Sequence, residues 1–217
     1  MPHIKTKDGP GQRLARSAET RAKILAAAER AFAKDGLAGA RTDAIAAAAG
    51  VNKALLYYYF QSKEQLYEAV VEDHFQEFNR AVLGVLTAPG SPRAILLRYV
   101  DLHFDFVSVR YRQARLFHQL MTTGGQPMHR LVRKYFAPRS RALHQLLARG
   151  MREGDFRRVD PFHMSVSIVG LIVFYFSAAQ VLQLLGHADA YSDANLKRRK
   201  QEVLDFIRYG LFIHPNP

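Results

Sequence analysis

Apolar residues recur at helical spacing along almost the whole chain, with charged and polar residues between them. The first such run begins near Ser17 or Thr20 and ends at Gly36. Later runs each follow a residue that caps helix N-termini well. These residues are Thr42, Ser62, Ser91, Asp160 and Ser192. Strand-like alternation never exceeds a few residues, so the pattern predicts an all-α protein of about nine helices.

The middle of the chain carries more detailed expectations. Pro89-Gly90 marks the clearest break, and a nearly all-apolar helix follows it. We expect a short helix between Tyr111 and Gly124, and a longer one from about Pro127 to Gly154. Pro138 lies inside the longer helix and predicts a kink there.

The penultimate run, residues 162–186, contains no Asp, Glu, Lys or Arg, and its length could span a bilayer. However, serines, glutamines and a histidine interrupt it, and no second span accompanies it. The last helix adds one apolar stripe through Leu196, Val203 and Ile207. We therefore expect these two helices, about 161–185 and 192–213, to pair with a second copy in a four-helix bundle. A basic helical protein associated with a membrane surface, without inserting, is the alternative.

Charge adds a partner to this picture. The net charge of the 217 residues is +12, and residues 1–63 alone carry +6. This dense positive charge favours nucleic acid as the partner of the N-terminal part. No cysteine is present, which excludes disulfides and thiolate metal sites. The N-terminus lacks the apolar segment of a signal peptide, so we expect a cytoplasmic protein, associated with the nucleoid when bound to DNA.

Composition and periodicity together predict three regions. Residues 1–16 form a flexible basic arm, and residues 17–63 form a small three-helix domain. Residues 64–217 form a larger helical domain. The helix that Ser62 opens has the S-x-x-Q form of a capping box and runs to about Leu86. It would join the two domains without a linker.

The most informative segment is TDAIAAAAGVNKALLYYYFQSKEQL, residues 42–66. Ala46 and Ala49 allow a second helix to approach closely, and Leu56 and Phe60 supply apolar contacts. Successive residues on a helix lie about 100° apart, so the three tyrosines 57–59 cannot all face the core. A braced helix that exposes Lys53 and tyrosine hydroxyls is typical of a helix-turn-helix.

These residues resemble the TetR family of bacterial transcriptional regulators, in the pattern T-x-x-I-A-x-x-A-G-V-x-K-x-x-L-Y-x-Y/H-F-x-S-K-x-x-L. The strong match covers about residues 18–70. The resemblance implies a homodimer that binds double-stranded, palindromic operator DNA, most often as a repressor. It also implies a C-terminal domain that binds a small-molecule effector and also dimerises.

Eight residues form the predicted DNA interface. They are Thr42, Lys53, Ala54, Leu55, Tyr57, Tyr58, Tyr59 and Lys63. Lys53 is expected to bind a base edge, and Ala54 and Leu55 can contact only a thymine methyl, so DNA shape should contribute to specificity. Thr42, Tyr57, Tyr59 and Lys63 are expected at phosphates, and Tyr58 at phosphate or base. Tyr57 packing beneath the motif and Lys63 as an ordinary solvated cation are the alternatives.

Polar or deformable residues on the apolar helices are candidates for the effector pocket. They are Tyr99, His103, Phe117, His118, Met121, Tyr175 and Gln180. Each could instead be an ordinary core or interface residue. The aromatic content nearby favours an apolar or aromatic effector, of unknown identity. No phosphate-binding glycine loop, G-x-S-x-G motif or HExxH pair is present, so we expect no enzyme activity, cofactor or metal.

Overall fold

The computed structural model describes residues 10–110, 129–187 and 189–213. Within them the chain forms nine α-helices and a π-helical segment, Val132–Phe136, which confirms the all-α prediction. The α-helices are α1 (Pro10–Gly39), α2 (Thr42–Ala48), α3 (Lys53–Phe60), α4 (Lys63–Leu86), α5 (Pro92–Arg110), α6 (Ala137–Arg152), α7 (Pro161–Ser177), α8 (Ala179–Leu184) and α9 (Asp193–Leu211). The short helix predicted after Tyr111 falls outside the described residues.

Four of the five predicted caps are confirmed. In each, a side-chain oxygen accepts a hydrogen bond from the backbone N–H three residues later, which satisfies a free donor of the first helical turn. The bonds run from Gln65 to Ser62 (3.1 Å), Ala94 to Ser91 (3.3 Å), His163 to Asp160 (2.9 Å) and Asn195 to Ser192 (3.4 Å).

Two predictions about the first helices are wrong. Helix α1 begins at Pro10, so residues 10–16 are helical rather than part of an arm. The cap of α2 is Arg41, which makes no side-chain hydrogen bond, whereas Thr42 is the first helical residue. Thr42 does not cap because its hydroxyl faces the Tyr57 hydroxyl instead. Gly36 interrupts α1 as predicted, with φ 68°.

Two later helices also differ from expectation. Pro138 cannot donate a backbone hydrogen bond, and the turn before it adopts π geometry, with the Ala137 N–H bonded to the Val132 carbonyl. The helix predicted to reach Leu185 ends at Ser177, and α8 restarts after Ala178. The Ser177 hydroxyl donates to the Val173 carbonyl (3.2 Å), a bond that bends helices.

The described residues divide into two compact units between His74 and Phe75, inside α4. The core of the first unit brings together side chains from α1 to α4 that have no solvent exposure. They are Ile24, Phe32, Ile45, Leu56 and Leu66. Ala46 and Ala49 are buried where α2 meets its neighbours, as predicted from their size.

The second unit packs α5 at its centre, against α6, α7 and α9. Its core includes Leu96, Val100 and Phe104 from α5. The end of α9 closes this core, because Phe212 stacks on Phe156 and the Arg93 guanidinium lies over the Phe212 ring. Arg93 also pairs with Asp155 at 2.8 Å and donates to the Ile213 carbonyl at 2.5 Å.

None of the helices in the described residues is long and apolar enough to cross a membrane. The charge-free run 162–186 is divided between α7 and α8, and each helix is shorter than the run itself.

Candidate nucleic-acid interface

Helix α3 is anchored on one side and open on the other. Leu56 and Phe60 are buried, and Asn52 caps the helix by accepting from the Leu55 N–H at 2.8 Å. Lys53 and Ala54 are exposed, and Tyr58 retains 79% of its accessible surface. The exposed side of α3 is therefore short, carries one cation and one phenol, and is held firmly by the core beneath it.

Tyr57 and Thr42 meet beside the first turn of α2, where their hydroxyl oxygens lie 3.3 Å apart. They line a surface cleft of about 460 Å³. Its other lining residues are Ala40, Arg41, Asp43, Gln61, Ser62, Lys63 and Glu64. Backbone N–H groups of a helix N-terminus attract anions, and hydroxyls and cations around them can add hydrogen bonds. This cleft has the donor chemistry that a DNA phosphate requires.

Lys63 stabilises the turn between α1 and α2 through two hydrogen bonds to its backbone. Its Nζ donates to the carbonyls of Ala38 (3.2 Å) and Ala40 (3.3 Å). The ammonium is therefore held beside the cleft rather than extended freely into solvent. Lys63 is also one of the residues that line the cleft.

Lys53 forms an ion pair with Asp43, with Nζ and Oδ1 2.9 Å apart. The hydrogen bond and the charge of Asp43 raise the pKa of Lys53 above its ordinary value. Both side chains are more than half exposed, so water screens the pair and its contribution to stability is small. The effect of Asp43 is to orient the Lys53 ammonium at the start of α3.

Tyr59 and Tyr58 occupy different environments. The Tyr59 hydroxyl lies 3.0 Å from the Ser17 hydroxyl of α1, so it already has a hydrogen-bond partner within the protein. The Tyr58 ring meets the Tyr59 ring edge-on, with centroids 5.5 Å apart, and its hydroxyl end is exposed. Of these two tyrosines, Tyr58 is the more available to DNA.

In the second unit, two of the predicted effector residues are brought together. Tyr99 and His103 are both buried, and a hydrogen bond of 3.1 Å joins the Tyr99 hydroxyl to Nδ1 of His103. Burial, with a smaller effect of the nearby Arg139 charge, lowers the pKa of His103 to about 3. Burial also raises the pKa of Tyr99 to about 12. Both groups are therefore uncharged at neutral pH.

The remaining effector candidates do not join this pair. Tyr175 is half-buried and packs its ring 5.5 Å from that of Tyr191, while its hydroxyl donates to the Ala190 carbonyl. These contacts hold the segment between α8 and α9. Phe117, His118 and Met121 lie outside the described residues. Gln180 lies in α8, but its side chain is not among those described.

Sequence reasoning missed three residues of these sites. Arg41 lines the cleft, and only its position before Thr42 could have indicated this. Asn52 caps α3 by accepting from the Leu55 N–H. The sequence offered a signal for it, because Asn is preferred at the position just before a helix. Arg139 lies within electrostatic range of Tyr99 and His103, and no sequence pattern distinguishes it from the other arginines around it.

Comparison with known proteins defines the class. Residues 24–70 match the family described as bacterial regulatory proteins, tetR family, and residues 92–207 match the tetracyclin repressor-like C-terminal domain. The second match alone covers more than half of the chain. The protein therefore belongs to the TetR family of bacterial regulatory proteins, whose members are transcriptional regulators rather than enzymes.

Individual relatives agree with this assignment. The chain is 28% identical to the HTH-type transcriptional repressor NicS of Pseudomonas putida, over 91% of this chain and 92% of that protein. It is 32% identical to the HTH-type transcriptional regulator RutR of Escherichia coli, over 87% and 88%. A solved regulator from Saccharomonospora viridis, in complex with choline, has a TM-score of 0.74 at 19% identity, over 91% and 100%. That structure supports the fold alone.

Proposed function

We propose that the protein is a homodimeric repressor that binds a palindromic operator and is released by a small apolar or aromatic effector. Residues 17–63 would form the DNA-binding domain, and residues 64–217 the domain that binds the effector and dimerises. The observation that carries the proposal is the exposed side of α3 beside a cleft with phosphate-binding chemistry.

At the DNA, the predicted residues divide between groove and backbone. Lys53, Ala54, Leu55 and Tyr58 would enter the major groove, with Lys53 donating to guanine O6 or N7. Thr42, Tyr57, Tyr59 and Lys63 would position the flanking phosphates. The contact of Tyr59 with Ser17 and the backbone bonds of Lys63 favour indirect roles for these two, as braces of the surface that meets the backbone.

The exposed apolar side chains of α7 and α9 support dimerisation. Phe162, Val166 and Phe174 are all more than half exposed and fall along one side of α7. Phe206 and Tyr209 form a similar exposed side on α9, at 65% and 78%. Exposed apolar side chains that recur along one side of a helix indicate an interaction site, and a second copy of the same surface would bury them.

The printed name of one relative agrees with repression, since NicS is named as a repressor. In this chain the aromatic core around Tyr99 and His103 supports an apolar or aromatic effector. An effector releases DNA if it binds more tightly to the conformation that fits DNA poorly.

Selection of bound sequences from a random duplex library tests the proposal. We expect the full-length protein to enrich a two-fold palindrome whose half-sites are about one helical turn apart or a multiple of it. Lys53→Ala should weaken binding to the selected sequence more than to random DNA. Enrichment of a single non-repeated site, or of no sequence, would exclude a dimer on a palindrome.

A further inference from the structure

Arg139 is a cation in aromatic surroundings within the second unit. Its guanidinium carbon lies 4.8 Å from the ring centres of both Phe78 and Phe136. The Phe78 ring in turn stacks on Phe106 at 4.2 Å and contacts the His103 ring at 4.8 Å. Burial lowers the pKa of Arg139 below its ordinary value, but a guanidinium remains charged in proteins.

No ion pair joins this cation to a carboxylate among residues 10–110, 129–187 and 189–213. Its Nη1 is buried and makes no hydrogen bond to any described residue. Tyr99 and His103, the titratable groups closest to it electrostatically, are uncharged at neutral pH. Arg139 therefore differs from Arg93 of the same unit, which has a carboxylate beside it.

The carboxylates of α5 are engaged elsewhere. Asp101 and Asp105 both bind the Lys200 ammonium, at 2.7 Å and 2.9 Å. The segment 111–128 contains no Asp or Glu in its sequence, so it has no negative charge to offer. A buried charge without a partner destabilises a fold by several kcal/mol, and such groups are retained where they serve binding.

We propose that Arg139, together with Tyr99 and His103, binds the carboxylate of the effector, which is a small aromatic or aliphatic acid. The inference rests on the proposed function, because it specifies the ligand of the same regulator. A guanidinium donates two parallel hydrogen bonds to a carboxylate, which a neutral amide cannot match. The Tyr99–His103 pair can supply a further neutral donor. The rings of Phe78, Phe106 and Phe136 provide apolar surface for the remainder of the acid.

Matched acids and amides test the proposal on the full-length protein. The probes are acetate, benzoate, phenylacetate and octanoate, each compared with its carboxamide at equal ionic strength. The readouts are the thermal unfolding midpoint and calorimetric binding. We expect at least one of the larger acids to bind and to raise the unfolding midpoint. The affinity of its amide should be lower by about tenfold or by a larger factor.

Three variants separate binding from folding. Arg139→Met removes the charge with little change in length, so the ligand-free midpoint should be unchanged or higher while acid binding is lost. Arg139→Lys should retain part of the affinity, because an ammonium keeps the positive charge but cannot donate two parallel hydrogen bonds to a carboxylate. Arg141→Gln, at an exposed arginine of the same helix, is the matched control and should bind as the wild type does.

Three results would overturn the inference: equal binding of acids and amides, wild-type acid binding by Arg139→Met, or no binding of any acid. Duplex binding, measured in parallel, tests the proposed function separately. A protein that binds its operator and is released by a neutral molecule would retain the proposed function and lose this inference. If the protein bound acids but no duplex, the inference about Arg139 would stand and the proposed function would be contradicted.

Discussion

At the residue scale, the ion pair of Lys53 with Asp43 places a negative charge on the surface that we propose to meet DNA. The carboxylate repels phosphates, but it also fixes the direction of the lysine ammonium. The pair would therefore lower affinity for any duplex while improving the discrimination between duplexes.

The variant Asp43→Asn tests whether Asp43 lowers affinity for any duplex and improves the discrimination between duplexes. We expect binding to random duplex to strengthen by roughly two- to fivefold, because one repulsive charge is gone, and binding to the operator to change less. Titrations over a range of salt concentrations measure both affinities. Asp35→Asn, at an exposed aspartate of α1, is the control. If Asp43→Asn strengthened both duplexes equally, orientation of Lys53 would play no part.

His103 gives a prediction for stability. The pKa of His103 in the folded protein is about 3, below the ordinary value of 6.5. Between these two pH values the unfolded chain binds a proton at this residue and the folded chain does not. The free energy of unfolding should therefore fall by about 2 kcal/mol between pH 7 and pH 5 on account of this residue. Denaturant titrations of His103→Gln should show a shallower decline than the wild type. His187→Gln, at an exposed histidine, should keep the wild-type slope.

Sequence could predict the residues of the small domain because a contiguous motif carries them. Leu56 and Phe60 are buried and Lys53 and Tyr58 exposed, as helical spacing requires. Arg139 was not predictable in this way. Its neighbours Phe78 and His103 come from distant segments, and only the packing of three helices brings them around it.

At the scale of elements, α6 depends on a glycine for its contact with the following turn. A Cβ at Gly150 would overlap the Phe156 ring, which is buried and stacked on Phe212. We expect Gly150→Ala to lower the free energy of unfolding by about 1–3 kcal/mol, because the ring has nowhere to move. Gly84→Ala is the matched control, since its Cβ would meet nothing within 4 Å.

That control should change stability in the opposite direction. Gly84 is an exposed residue inside α4, where alanine is favoured over glycine by about 0.5–1 kcal/mol. Thermal or denaturant unfolding of the two variants measures both signs. A loss of stability at both positions would indicate a cost of replacing helical glycine in general, and would contradict a specific contact with Phe156.

Helix boundaries show which elements sequence determines locally. Ser62, Ser91, Asp160 and Ser192 were predictable because each cap bonds its own first turn. Thr42 failed, since a partner 15 residues away competes for its hydroxyl. The division between α7 and α8 was also missed, because serines recur along the run and nothing in the sequence distinguishes Ser177 from Ser165 and Ser167.

At the scale of the whole molecule, the exposed apolar sides of α7 and α9 should control assembly. The double variant Phe174→Glu and Phe206→Glu is expected to be a folded monomer, because both side chains are already exposed in one chain. Sedimentation should report a dimer for the wild type and a monomer for the variant, which should also lose operator affinity. Val109→Glu, an exposed apolar residue of α5, is the control. A dimeric double variant would place the interface elsewhere.

The closure of the second core by Phe212 has a consequence for synthesis. The stack with Phe156 and the bond from Arg93 to Ile213 can form only after residues 212 and 213 have been synthesised and have left the ribosome. The described core of the first unit is built from α1 to α4, so it can form while the later helices are still being translated. Nascent chains would thus acquire the proposed DNA-binding surface before the core of the second unit is closed.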